Sequence, residues 1–296
     1  VPLSIFDVLV EPFALGFLQR ALFGGALVAV LCGIVGTWVV IRGMAFLGEA
    51  LAHGMLPGVA LATVLGVPVL IGGALSATAM SLGIAALQRR GTLSYDTSIG
   101  MLFVSMLALG VIIISHSGSF ATDATSILFG DILAITSVDL YLLAAATALG
   151  ITVAVAFHRP LVALALDPRI AAVLGLGPRS AQALLVALVT LAVVASYQAV
   201  GSLLVVGLLL APAVAAGQWT TRIPTRMLLA AFLGVLSVFV GLLISWHAAT
   251  AAGASVAATA IAVSGLSWAL RAALTAIRPH RNLSPSSERN TCAPAS

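Results

Sequence analysis

Two residues with metal-binding or proton-carrying chemistry stand four apart in an otherwise apolar run. They are Glu49 and His53, within RGMAFLGEALAHGMLPGVALA at 42–62. A carboxylate inside a bilayer costs a few kcal/mol or more, so it normally faces a partner, a cavity or an ion. Spacing of i, i+4 stacks the two side chains on one face of a helix. Carboxylate oxygen with imidazole nitrogen is a donor pair suited to divalent first-row metals. At 1.5 Å per residue the pair stands about 9–16 Å from the arginine-bearing end of its segment, near mid-bilayer. Two ligands are too few for a selective site, but a twofold pair of chains supplies two of each. The same spacing equally serves an intrahelical hydrogen bond that only orders the bundle, or a proton relay. Pro57, four residues on, cannot donate to the helix ladder and loosens the helix beside the pair.

The elements that must position these groups follow from composition. Of 296 residues, 61% are hydrophobic and 7% are charged, against roughly 25% charged in soluble chains. That excludes a water-exposed globular surface. Lipid leaves no water to satisfy the backbone, so only helices or a closed barrel remain. The apolar runs last about twenty residues without strict alternation, the length of a spanning helix and about twice that of a barrel strand. The chain therefore reads as an all-α polytopic bundle of about nine spans. They fall at roughly 21–41, 44–65, 67–88, 97–115, 137–157, 180–198, 201–219, 227–247 and 253–273. Residues 13–20 read as an amphipathic entry segment and 119–136 as an external loop with a short helix. The membrane domain is expected over 1–277. The Pro-, Ser- and Asn-containing 278–296 read as a disordered cytoplasmic tail. No internal repeat is evident.

All thirteen basic residues are arginines, and the chain has no lysine. Scattered through inter-helix loops, they mark topology rather than a nucleic-acid surface. Alternating spans place twelve of the thirteen on one side, with Arg20 on the other beside Asp7, Glu11, Asp123, Asp131 and Asp139. The positive-inside rule then puts the N-terminus outside and the C-terminus in the cytoplasm. The acidic outer face either favours an arriving cation or is ordinary loop solvation. Without lysine there is no GxxxxGK[ST] phosphate loop, so ATP hydrolysis, if it drives transport, belongs to another polypeptide. The candidate ligands read E-x-x-x-H rather than HExxH, which removes the zinc-protease reading. The chain is expected not to be an enzyme. Cys32 and Cys292 give neither a disulfide framework nor a CxxC pattern, and Asp7 and Glu11 stand where a signal peptide would be basic.

Other residues carry weaker expectations. His116 and His247 fall at outer ends of spans, while His158 and His280 fall on the cytoplasmic side as solvated groups. Pro57, Tyr197, Gln198 and Pro212 are candidates for a gate or helix hinge. In the loop 158–179, HRPLVALALDPRIAAVLGLGPR, Asp167-Pro168 reads as a helix start, followed by a short helix ending at Gly175 or Gly177. Such a segment on the arginine side suits either docking onto a partner or lying in the lipid interface.

The 42–62 stretch resembles the signature of the metal-type ABC permeases for manganese, zinc or iron. Its usual form is an Arg-Met pair, then Gly-Asp-x-x-Ser/Ala-His, then Leu-Pro-Gly-Val-Ala. The resemblance continues at 96–100 (DTSIG), 128–134 (LFGDILA), 165–177 (ALDPRIAAVLGLG), 198–201 (QAVG) and 210–213 (LAPA). It thus covers most of 20–270 in order. It implies a type II ABC importer permease working as a dimer, homodimeric in the simplest case. The implied cargo is Mn2+, Zn2+ or Fe2+, with no permanently bound cofactor. Implied partners are a cytoplasmic ATP-binding subunit and an extracellular or periplasmic metal-binding protein, in a bacterial plasma membrane. Glu49 takes the position of the family's metal-coordinating acid, usually Asp, and His53 that of its histidine. The coupling role falls to Asp167, Pro168, Arg169, Ala172, Leu174, Gly175, Leu176 and Gly177. Alternative readings are a permease of the same broad class for a siderophore or cobalamin, and a proton-coupled secondary carrier using Glu49 and His53 as its relay.

Overall fold

A computed structural model describes residues 11–90, 94–116, 130–167, 172–173 and 175–277; every regular element among them is helical. In chain order the helices are α1 (Gly16–Ile41), α2 (Ala45–Gly54), α3 (Leu56–Leu65), α4 (Val69–Arg90), α5 (Tyr95–His116), α6 (Ser137–Ala156), α7 (His158–Leu166), α8 (Pro178–Trp219), α9 (Ile223–Ala248) and α10 (Ala252–Ile277). Single 3-10 turns occupy Glu11–Ala14 and Ile132–Ala134. Nine segments among the described residues are long and apolar enough to cross a bilayer, α2 with α3 counting as one and α8 as two.

Local chemistry sets the ends of these helices. Gly43 and Gly66, at φ 67° and 68°, turn the chain after α1 and α3 in the left-handed region where glycine is free of strain. Thr136 and Asp139 form a reciprocal capping box on α6: the Thr136 hydroxyl accepts from the Asp139 N–H, and the Asp139 carboxylate accepts from the Thr136 N–H at 3.0 Å. Proline opens α8 and α9 within the first turn, where its missing N–H costs nothing.

The long helix α8 is two spans. At Gly201 the backbone takes φ 74° and ψ 168°, a conformation essentially reserved for glycine. Side-chain partners show that the chain reverses there. Gln182 meets Arg42 at one end of the bundle, Gly201 packs on Gly130 at the other, and Leu209 has returned to the level of Gly36. Similar pairings order the remaining spans. Trp38 meets His158, Trp219 Nε1 donates to Ser267 Oγ at 2.7 Å, and Gly217 faces Arg226, all at the end where Arg42, Arg89, Arg159, Arg179, Arg222 and Arg271 also lie. Arg20 is at the opposite end, its Nε donating to the Ile135 carbonyl at 3.1 Å. The alternation expected from the sequence is therefore present in the packing.

Buried side chains of α1, α2 and both limbs of α8 form the core, among them Leu31, Val35, Trp38, Leu51 and Leu208. Lipid is as apolar as these side chains, so close backbone approach rather than a hydrophobic drive must bind the helices. Glycine makes that approach. A Cβ on Gly36 would overlap the carbonyl oxygen of Leu209, and one on Gly33 would stand 2.7 Å from the backbone nitrogen of Ala231.

Two boundaries depart from expectation. α1 begins at Gly16, so much of the supposed entry segment belongs to the first span. The second span runs Ala45–Leu65 as expected over 44–65, with a loosened turn at Met55, where φ −74° and ψ −23° remain helical. Residues 158–166, read as loop, are the helix α7; Pro160 occupies its first turn, where no backbone donor is required, and LVALAL continues it. Of the 119–136 segment, 119–129 lies outside the described residues, and the described remainder holds the Ile132–Ala134 turn. The tail reading for 278–296, with His280, also lies outside them.

Candidate metal site

On α2, His53 turns back onto the residue one turn earlier. Its Nδ1 lies 3.3 Å from Oε1 of Glu49 and 3.1 Å from the Glu49 carbonyl oxygen. Nδ1 thus faces two oxygens of Glu49; with a proton on Nδ1 and none on Nε2, the Nε2 lone pair would be free for a ligand. That is how a ligating histidine is commonly oriented. The edge of Phe103 packs on the His53 ring with centroids 5.6 Å apart, and Phe46 packs on Phe103 at 5.5 Å, so the ring is held sideways by aromatic neighbours. The His53 side chain is 21% exposed and that of Glu49 is 40% exposed. Glu49 opens on a groove of about 530 Å3 along the second limb of α8 and α10, lined by Val206, Gly207, Leu210, Ala257 and Ile261. Glu49 is the one ionisable group on that wall, which is otherwise apolar save for Ser264.

Beyond this pair the helix ladder is loosened around Met55, although the backbone there stays helical. Pro57 has no N–H to offer the His53 carbonyl. The next carbonyl, that of Gly54, accepts from the buried Ser76 Oγ of α4 at 2.7 Å. Tight backbone contacts surround this turn. A Cβ on Gly58 or Gly72 would overlap the other's carbonyl oxygen, and one on Gly110 would stand 2.9 Å from Leu56 Cβ.

The other predicted residues are placed elsewhere. Among the described residues no third His, Cys, Asp or Glu joins Glu49 and His53 in a ligand cluster. His116 ends α5, exposed; His247 near the end of α9 is exposed with Nδ1 2.9 Å from the Leu243 carbonyl. His158, expected to be solvated, packs against Trp38 with ring centroids 5.7 Å apart, because α7 folds it back onto α1. Tyr197 is buried near the Gly201 reversal, its hydroxyl without a hydrogen-bond partner. Pro212 lies buried inside the second limb of α8; the Gln198 side chain is outside the described residues. Asp167 closes α7, its N–H donating to the Ala163 carbonyl at 3.2 Å. Pro168, Arg169 and Leu174 are outside the described residues. Ala172 is helical and exposed, Leu176 half-buried, and Gly175 and Gly177 take φ 69° and 55°.

Sequence reasoning treated Arg42 only as a marker of topology. In the structure its Nη1 donates to the Leu164 carbonyl at 2.8 Å and its Nη2 to Gln182 Oε1 at 3.1 Å. Gln182 Nε2 in turn reaches Met44 Sδ at 3.5 Å. These partners are separated by more than a hundred residues in the chain, so no local pattern could reveal them.

Nine alternating spans among the described residues, one of them carrying an acid and an imidazole, are the architecture of an integral membrane transport subunit. The profile of the ABC 3 transport family matches residues 14–270, and the chain belongs to that family. It is 33% identical over 252 residues to the manganese transport system membrane protein MntC of Halalkalibacterium halodurans, covering 85% of this chain and 86% of that one. It is 36% identical over 243 residues to the manganese import system permease protein ScaB of Streptococcus gordonii, covering 82% and 87%. Over 251 residues it is 31% identical to the chelated iron transport system membrane protein YfeD of Yersinia pestis, covering 84% of each. Among solved structures it resembles PsaBC from Streptococcus pneumoniae in complex with Fab, with a TM-score of 0.78 and 31% identity over 90% of this chain and 95% of that one. A metal-chelate type ABC transporter in an inward-facing conformation shares the fold, with a TM-score of 0.69 at 14% identity over 86% and 85%. The expected type II ABC importer permease architecture is thereby established.

Proposed function

We propose that this chain is the permease of an ATP-driven importer of a divalent transition metal, Mn2+, Zn2+ or Fe2+, and that Glu49 and His53 bind the ion transiently. The observation that carries the reading is the orientation of the pair. Nδ1 of His53 lies against Glu49, which with its proton there leaves Nε2 for a ligand, and the Glu49 carboxylate opens on the groove. One chain supplies one oxygen and one nitrogen ligand. A second copy laid against the groove completes a four-ligand set, and covers an apolar surface that otherwise faces lipid with a charged group in it. The glutamate, a methylene longer than the usual aspartate, places its oxygens further into that groove.

The arginine end of the bundle is cytoplasmic in this reading, with the N-terminus outside and the tail 278–296 inside. Residues 165–179 receive the stroke of a separate ATP-binding subunit. An extracellular metal-binding protein delivers the ion to the opposite end. The cargo reading rests on the ligand chemistry and on relatives named for manganese and iron transport.

Metal uptake by the reconstituted complex tests it. Glu49→Ala and His53→Ala should each abolish uptake while leaving assembly with the ATPase intact; normal uptake in either removes the site. The contact between the two side chains also suits a proton relay. Uptake that persists in ATP-depleted vesicles under a proton gradient would replace the ATP-driven reading with that one.

A further inference from the structure

We propose that Arg42 is the positioning residue through which movement of the 165–179 segment reaches the metal-bearing helix. The proposal rests on the functional reading above and assigns it a residue. Arg42 sits in the turn between α1 and α2, three residues ahead of the first residue of α2. Its two terminal nitrogens grip both flanks of that segment. Nη1 holds the Leu164 carbonyl in the last turn of α7, and Nη2 holds Gln182 in the first turns of α8. Gln182 also touches Met44, which is buried beside the start of α2. Displacement of either flank must therefore stretch these bonds or carry the guanidinium with it.

From Arg42 the path to the site is short and stiff. Glu49 follows seven residues later, the last four of them rising about 6 Å along α2. The far end of α2 is pinned by Ser76 on the Gly54 carbonyl, so a push at the arginine end tilts the helix about that point instead of sliding it freely. A coupling element also needs a second arrangement to move into. Arg42 Nε is buried without an acceptor, a donor unused in the present arrangement and available to another. Arginine suits this post because its planar fork serves two acceptors at once, which a lysine ammonium on a flexible stem does not hold in fixed geometry.

The test is the number of metal ions transported per ATP hydrolysed by the full complex in proteoliposomes, using Mn2+ supplied with the binding protein. Arg42→Ala should retain at least half of the ATPase activity and lower this ratio at least tenfold. Arg42→Lys should fall between the two, and Gln182→Ala should lower the ratio by a smaller factor. A purely packing role would reduce uptake and ATPase in proportion. That proportional loss, or an unchanged ratio, would overturn the proposal. Should Arg42→Ala fail to assemble, Arg42→Lys and Gln182→Ala decide by the same ratio. Glu49→Ala run in parallel separates the two ideas: normal uptake there removes the metal site, while the Arg42 ratio still reports on coupling.

Discussion

α1 and α5 have nearly the same length and both are strongly apolar, yet their surroundings are opposite. In its most apolar window α1 is 67% buried within the chain, and α5 is 17% buried. Hydrophobicity therefore does not say whether a membrane helix meets protein or lipid, since both neighbours are apolar. Small residues do say it. Along α1 only the terminal Gly16 lacks a neighbour where a Cβ would be, while Gly24, Gly25, Gly33 and Gly36 each have one; on α5 Gly110 meets Leu56 but Gly100 has nothing within 4 Å. The hub of the bundle is built by backbone approach, and its rim by side chains facing outward.

That contrast can be broken by exchanging glycine for larger residues. The largest effect is expected for Gly36→Val, whose side chain has to displace the Leu209 carbonyl. Overpacking costs about 1–3 kcal/mol and more when backbone is hit, so most of the protein should be lost from the monodisperse peak in detergent. A wild-type yield would mean the hub is loosely packed. Next comes Gly201→Ala, which forces a Cβ into the glycine-only conformation of the reversal at about 1–3 kcal/mol; the thermal midpoint should drop by several degrees. Gly100→Ala should do the opposite, holding or raising the midpoint, because alanine in a helix gains up to about 1 kcal/mol over glycine. A fall instead would reveal that a partner chain packs on α5. The smallest change is expected for Thr147→Val, which deletes the 3.3 Å bond from Thr147 to the Leu27 carbonyl on α1. Interhelical bonds of this kind average about 0.6 kcal/mol in membranes, so a shift beyond a few degrees would show the α1–α6 contact to be tighter than the geometry implies.

The sequence foretold the spans to within a few residues, because twenty apolar residues in lipid have few alternatives. Glu49 and His53 stood out for the same reason: an acid amid hydrocarbon is costly enough to require a purpose. Less was visible where structure depends on distant partners. Pro57 hinted at the loosened turn, but the bond from Ser76 to the Gly54 carbonyl beside it was out of reach, because that residue lies on another span. α7 was hidden because His158, Arg159 and Pro160 look like loop, although the first turn of a helix tolerates all three. The bonds of Arg42 were unreadable for a simpler reason. Charge counting locates an arginine at a membrane face but does not say what its guanidinium holds.

The crossings among the described residues are nine, an odd number, and that limits how such molecules can be built. Gly16 and Ile277 end up on opposite sides of the bilayer, so two copies joined head to tail would thread the second one upside down. A pair of like-oriented copies must then be made from separate polypeptides, or from a fusion with one additional crossing in its linker. Reporter fusions at either end of the nine-span unit would likewise sample different compartments.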